Sequence, residues 1–375
     1  MARKIKKAYI GIGGVARPFW GEGKLEYYGT ITSLSESKYR HYGVSIGNYA
    51  LFAGGLNSSG KSSKIVNAYD ASLTISTPTS LSYPSYNGGA TSVGNYALIA
   101  SGINNTVTQT SSQKLTTVNT YNTSLTKSTA TAFSAYRNSM GVASNSTYAL
   151  FAGGHDGTSN GPYTNVTIYN TSLTRSTATA LQTARCDFCG ATIGDYILFA
   201  GGDSSVYSDE DNVYTNVVDA YNTSLTRSNA TALSTKRGGA IGVRVGNYLL
   251  FAGGGNGGGG VGNSDVDVYD TSLTKTTTSL GYKPVYHIGV SLYGYAIFAG
   301  GYNQGNGFAY MESFDSSLTR TRLSGYLGGT NSPTATVCAA SATVGNYALI
   351  AGGTKTSSTT MYNHCFSTVN AIALL

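Results

Sequence analysis

Tyr49-Ala50-Leu51-Phe52-Ala53-Gly54-Gly55 is the stretch from which the fold can be read. It returns as YALIASG at Tyr96–Gly102, YALFAGG at Tyr148–Gly154 and YILFAGG at Tyr196–Gly202. Three more copies follow: YLLFAGG at Tyr248–Gly254, YAIFAGG at Tyr295–Gly301 and YALIAGG at Tyr347–Gly353. The closing glycines stand at 55, 102, 154, 202, 254, 301 and 353, a period near fifty residues. Each copy is apolar along its whole length, as a short strand is when both of its faces are covered.

The residues around each copy complete a unit of four strands. An inner strand such as Gly242 to Val245 runs into the two-residue turn Gly246-Asn247, which suits a hairpin because Gly accepts positive φ. After the Gly-Gly pair and a loop comes a third strand centred on a tyrosine: Tyr69, Tyr121, Tyr169, Tyr221 and Tyr269, with Phe314 in the sixth unit and a worn copy from Tyr362. A short Asn-Thr-Ser or similar turn then leads to an outer strand, Leu225 to Leu233 in the fourth unit. One such sheet cannot bury both faces alone, but seven packed radially can. The expected fold is all-β: a seven-bladed β-propeller over residues 25–375, preceded by a short N-terminal β-hairpin segment in residues 1–24.

The repeat resembles the kelch repeat, in which an apolar strand ending in Gly-Gly precedes a Tyr-centred third strand. The resemblance covers about nine-tenths of the chain and implies a binding scaffold. One departure is that the outer-strand tryptophan typical of kelch repeats is missing, with Ser or Thr near its place in most copies. Ring closure has two candidates, since both Thr30 to Leu34 and Val369 to Leu374 read as outer strands. The N-terminal strand is expected to complete the last blade, because pairing the two ends ties the ring shut.

Composition agrees with strands and tight turns. Charged residues make up only 11% of the 375 residues, with 49 Gly and 30 Tyr, against about 25% charged in ordinary globular proteins. The formal net charge is +7, but residues 1–24 hold six basic residues against one acidic, leaving 18 against 16 elsewhere. That basicity belongs to a leader, not to a folded face able to grip phosphate, so nucleic acid is not an expected partner. No run of about 18 apolar residues is present for membrane insertion, and Gly-rich Ala8–Ala16 is a poor secretion signal.

Loop lengths point to a working face. The turns inside the first hairpins barely vary, whereas the loops after Gly-Gly vary greatly, and variable loops on a rigid scaffold carry recognition. Tyr163, Tyr207, Tyr214, Tyr302 and Tyr310 lie in those loops, and Tyr136 and Tyr286 in the blade connections on the same face. Tyrosine offers a broad apolar ring and a hydroxyl at little entropic cost, which favours it in binding surfaces. About half of these rings are expected to pack between blades. Lys38, Arg137, Arg185 and Arg237 each stand eleven residues before a strand-opening Tyr. They either ring the channel mouth and attract an anionic ligand group or bond to carbonyls of the next blade. A second basic series, Lys127, Arg175, Arg227, Lys275 and Arg320, reads as solvated outer-strand charge.

No catalytic constellation is visible. Cys186-Asp187-Phe188-Cys189 has CxxC spacing but no second pair or nearby His, so packing is the better reading. Asp203, Asp209, Glu210 and Asp211 lack the order of a calcium loop, and Gly255 to Gly260 is not followed by Lys-Ser/Thr. Neither a metal nor a cofactor is expected, and the reading is of a protein that binds without catalysing.

The leader from Lys4 to Trp20 alternates around Gly13-Gly14 like a hairpin with one apolar face. It resembles the short N-terminal segment of tail and other minor virion proteins of phages infecting Gram-positive bacteria. That resemblance implies docking to other virion proteins through Lys6, Lys7, Tyr9, Arg17, Phe19 and Trp20, with the propeller adhering to a host surface glycan or protein. It places the chain on a virion, at the tail or the capsid surface. The alternative is a bacterial kelch-type scaffold or secreted binding module, extracellular or cytoplasmic. Assembly into an oligomer stays open in both.

Overall fold

The computed structural model of the protein describes residues 8–12, 15–20, 24–106, 113–158, 161–205, 213–256, 261–329, 333–355 and 364–375. They form a seven-bladed β-propeller of four-stranded antiparallel sheets. Blade 4 is representative: inner strand Cys189–Ile193, then Tyr196–Ala200, Val218–Tyr221 and outer strand Arg227–Asn229. Its outer strand is shorter than the sequence suggests, because Leu225 belongs to the turn at φ 61°. Ala8–Ile12 and Val15–Trp20 pair antiparallel as a separate two-stranded hairpin.

The last blade mixes the two ends of the chain. Ala340–Val344, Tyr347–Ala351 and Val369–Leu374 are its first three strands, and Leu25–Ile31 is its outer strand. The N-terminal strand closes the ring as expected, but earlier in sequence than Thr30 to Leu34. The C-terminal segment is the third strand, so the place assigned to the worn copy at Tyr362 is filled by Val369–Leu374; Tyr362 itself lies outside the described residues. The ladder runs from Leu25↔Leu374 to Ile31↔Val369. Lys24 and Leu375 extend it by exchanging backbone bonds of 2.8 and 3.0 Å. Strand direction puts both on the face of the short hairpin turns, where Leu374 N–H also reaches the Asn346 carbonyl at 3.3 Å.

Each second strand is buried on both faces; Leu198, Phe199 and Ala200, for example, expose nothing. Third-strand tyrosines lock adjacent blades. Tyr69, Tyr121, Tyr169, Tyr221 and Tyr269 are wholly buried, and each donates its hydroxyl to a threonine carbonyl of the preceding blade's outer edge at 2.5–2.8 Å. Phe314 and Ile372 hold that place in blades 6 and 7 by packing alone.

The Gly-Gly pairs make the second lock. In six blades the second glycine donates its N–H to a carbonyl of the next blade at 2.8–2.9 Å, the last being Gly353 to Lys38 across the closure. The first glycine stands at positive φ; a Cβ on Gly201 would meet the Arg237 carbonyl oxygen at 2.5 Å, which is why six of the seven blades keep glycine there. Blade 2 has Ser101 here, at φ 62°, and its hydroxyl supplies the bond to the next blade, on the Arg137 carbonyl at 2.6 Å.

Two buried histidines sit at blade interfaces. His41, between blades 7 and 1, packs near Phe52 and Gly352; His287, between blades 5 and 6, packs near Phe298 and Gly253. Burial, reinforced by Lys38, holds the His41 imidazole well below its usual pKa despite the Ala351 carbonyl. Burial and Arg237 lower His287 to about 3 against the Ala252 carbonyl. A depressed folded pKa favours the neutral ring, so this stability is complete above the unfolded value of about 6.5 and lost as pH falls below it. Each histidine is expected to cost up to about 1.4 kcal/mol per pH unit in that range. Thermal melts between pH 7 and pH 5 should show the loss, and a His41→Phe, His287→Phe double variant should flatten it.

Candidate functional site

The basic residues eleven positions before each strand-opening Tyr turn inward. Arg185 and Arg237 are fully buried and Arg137 nearly so. Arg185 meets Asp219 at 2.6 Å and the Phe199 carbonyl at 3.1 Å; Arg237 meets Asp267 at 2.7 Å and the Phe251 carbonyl at 3.0 Å. Arg137 bonds to the Gly153 and Asn165 carbonyls and to Thr167 Oγ1 at 2.7–2.8 Å. Lys38 reaches the Ile65 carbonyl at 3.3 Å, and burial lowers its ammonium to about 8 against the pull of Glu36. These four therefore bond to carbonyls of their own blades, not of the next blade as expected, and they do not ring the mouth.

Asp219 and Asp267 also capture residues of the second basic series. Arg227 reaches Asp219 Oδ1 at 2.8 Å, and Lys275 reaches Asp267 Oδ1 at 3.0 Å. Both are largely shielded, which corrects the reading of that series as free solvated charge. Burial alone would raise the Asp267 carboxyl, but the Ser234 hydroxyl, Arg237 and Lys275 together hold it below its usual value.

The channel mouth is built instead from a position that sequence reasoning did not single out. Nine residues before each strand-opening Tyr stand Arg40, Asn87, Ser139, Asp187, Gly239, Tyr286 and Cys338. All seven have left-handed backbone, with φ of 50–63°. Neighbours are joined around the axis: Ser139 to Asn87, Asp187 to Ser139, Gly239 to Asp187, Cys338 to Tyr286 and Arg40 to Cys338, each N–H to carbonyl at 2.8–3.3 Å. The backbone thus forms a girdle at the top of the inner strands, on the face of the variable loops.

The girdle differs from the other repeated left-handed position. Leu73, Leu125, Leu173, Leu225, Leu273 and Leu318 occupy the outer turns at φ 60–62°, all leucine and all packed on the core. There one side chain is repeated because one packing job is repeated. In the girdle one backbone carries Arg, Asn, Ser, Asp, Gly, Tyr and Cys. Left-handed backbone costs a non-Gly residue roughly 1–2 kcal/mol, and such strain gathers at ligand clamps.

Beneath the girdle lies a cavity of about 500 Å³, within the size range of small-molecule sites. Ser139, Asp187, Tyr286 and Cys338 stand at its rim, over walls of Met140, Val142, Phe188 and Ile241. Tyr286 is 45% exposed and stacks on Tyr302, with ring centroids 5.9 Å apart and planes 18° apart. Asp187 is reached by solvent through the channel yet walled by protein. That desolvation raises its carboxyl pKa, against the Ser139 hydroxyl, His155 and Arg40.

The other tyrosines divide. Tyr163 is half-buried and donates to Asp156 Oδ2 at 2.8 Å; Tyr214 is half-buried beside Gly238. Tyr136 is buried, with its hydroxyl accepting from Asn138 Nδ2 at 2.6 Å. Tyr310 is packed among Tyr282, Phe308 and Arg322, whose guanidinium lies 3.7 Å from its ring centre. Tyr207, Lys6 and Lys7 lie outside the described residues. Tyr9, Arg17, Phe19 and Trp20 lie on the strands of the N-terminal hairpin, with Tyr9 opposite Pro18 and Ala8 opposite Trp20. Among the described residues, the exposed large apolar side chains are Tyr83, Val213, Val261, Tyr286 and Tyr293, and only Tyr293 belongs to the turn face.

The propeller fold is compatible with a binding protein. No family model matches the chain, and no curated protein matches it.

Proposed function

We propose that this is a non-enzymatic binding protein whose loop face adheres to a glycan or protein on a bacterial surface, carried on a phage particle by residues 1–24. The observation that carries the adhesive reading is the girdle: an invariant, strained backbone ring presenting seven different residues over a cavity. Tyr286 and Tyr302 add an aromatic platform beside it. The resemblance of the repeats to kelch propellers supports a binding role. The basic hairpin leader, similar to segments of phage tail and minor virion proteins, supports the virion placement.

Purified full-length protein should bind host cells or an arrayed surface glycan saturably. A Tyr286→Asn, Tyr302→Ala variant, in which Asn keeps the left-handed backbone, should bind at least tenfold more weakly (about 1.4 kcal/mol). Unchanged binding by that variant overturns adhesion through the loop face, and cleaved glycan points to an enzyme instead. Independently, the chain should co-sediment with purified particles, and its absence from them overturns the virion placement.

A further inference from the structure

We infer that the channel mouth is a binding site for an organic ammonium ion, a primary amine on an aliphatic or hydroxyl-bearing body, with Asp187 as its counter-charge. This deepens the adhesive reading by naming the chemistry its central site recognises, and it rests on that reading only for its biological use.

The charge at the rim selects a cation. Arg185, Arg227, Arg237 and Lys275 are all engaged with Asp219 or Asp267, so those two buried carboxylates have their cations built in. Asp187 has none within 4.0 Å among the described residues. The girdle's one cation, Arg40, makes no ion pair with Asp187 and does not line the cavity. A carboxylate held in walled surroundings without a cation regains most when a mobile one arrives.

The rest of the cavity suits the body of such a ligand. Met140, Val142, Phe188 and Ile241 provide an apolar sleeve below the carboxylate, able to cover a short aliphatic stem. Tyr286 stands at the same rim with an exposed ring, placed to meet an ammonium by cation–π attraction. Gly239, between Asp187 and Tyr286 in the girdle, has no side chain, and the nearest Tyr286 carbon lies 4.0 Å from where its Cβ would be. The girdle is therefore open between the acid and the aromatic ring. An anionic or purely apolar ligand would leave Asp187 uncompensated in the same space.

The same ammonium chemistry is offered by a lysyl side chain of a surface protein and by a free amino group on a surface polymer. Full-length protein is titrated at fixed ionic strength with Nα-acetyl-lysine methylamide and with glucosamine, followed by NMR. Their Nε-acetylated and N-acetylated counterparts serve as uncharged controls. Saturable binding of at least one amine is expected, with at least tenfold weaker binding of its acetylated form. Asp187→Asn is close to isosteric and adopts left-handed backbone readily, so it should fold with an unchanged melting temperature and lose at least tenfold in affinity. Preference for the lysine derivative assigns a protein source, and preference for glucosamine a polymer source. No saturable amine binding, or equal binding by Asp187→Asn, overturns the site. Cell adhesion that survives either result leaves the adhesive reading standing without it.

Discussion

Removing residues 1–33 is expected to abolish cooperative unfolding, whereas removing residues 1–23 should leave the melting temperature within a few degrees of the intact chain. The longer deletion takes away the outer strand of blade 7, from the Leu25↔Leu374 pairing to Ile31↔Val369. It also removes the Tyr27 hydroxyl from Asn370 at 3.0 Å and the edge-on packing of Tyr28 on Tyr347, with ring centroids 5.4 Å apart. Thr32, whose carbonyl accepts the Tyr69 hydroxyl at 2.7 Å, goes with it, so the lock between blades 7 and 1 opens. What remains is a bare edge on Val369–Leu374, five of whose six residues are buried in the intact ring. Such an edge invites aggregation, and the shortened chain is expected to elute as soluble aggregate. A synthetic peptide of residues 24–35 added during refolding should restore a monomeric species. A monomer that melts normally without the peptide would falsify the account of ring closure.

The second large effect is expected inside blade 4. Asp219→Ala should destabilise the protein by about 3–5 kcal/mol, the usual cost of stripping one partner from a buried ion pair. Asp219 is the counter-ion of both Arg185 and Arg227, and it also accepts the Gln182 N–H at 3.0 Å. Without it, the wholly buried Arg185 keeps two carbonyl bonds, Thr183 at 3.4 Å and Phe199 at 3.1 Å, and the Phe188 ring 4.9 Å away, with no carboxylate to balance its charge. At roughly 2–4 °C per kcal/mol for a protein of this size class, the melting temperature should drop by on the order of 10 °C. Replacing the pair together, as Arg185→Met with Asp219→Leu, should recover most of the loss, because well-packed apolar groups avoid the desolvation penalty. Denaturant melts of the three variants decide the matter. If Asp219→Ala costs less than 1 kcal/mol, the pair is not the brace described here.

Blade number and strand order were legible because each strand opened by Tyr does two jobs: it fills an interface in all seven blades, and in six its glycines approach the next blade's backbone. Ring closure was half legible. Leu25–Ile31 carries little of the repeat's signature, so Thr32 and Leu34, which follow the strand, drew attention in its place. The ionic braces left a trace that only comparison between repeats reveals. Blades 4 and 5 pair Arg185 with Asp219 and Arg237 with Asp267, while blade 2 has Ser85 and Asn119 at the corresponding positions. The pairing is local to those two blades: blade 3 keeps Arg137 but sets it against Thr167 Oγ1 and two backbone carbonyls. The girdle left no trace of that kind. Its common property is a backbone angle, and no residue type marks it: Arg40, Asp187, Tyr286 and Cys338 share a conformation and nothing else. Tyr136 and Tyr310 misled for the opposite reason, since a ring that suits a recognition surface equally suits the space between blades.

Lys24 and Leu375 leave the ring side by side on the turn face, opposite the girdle. The molecule therefore has a built-in polarity: whatever is spliced onto either end hangs from the rear, and the cavity looks the other way. A dye, a biotin or a whole fused domain can be attached there with the front unobstructed, and a propeller immobilised by either end presents every copy of its cavity in the same outward sense.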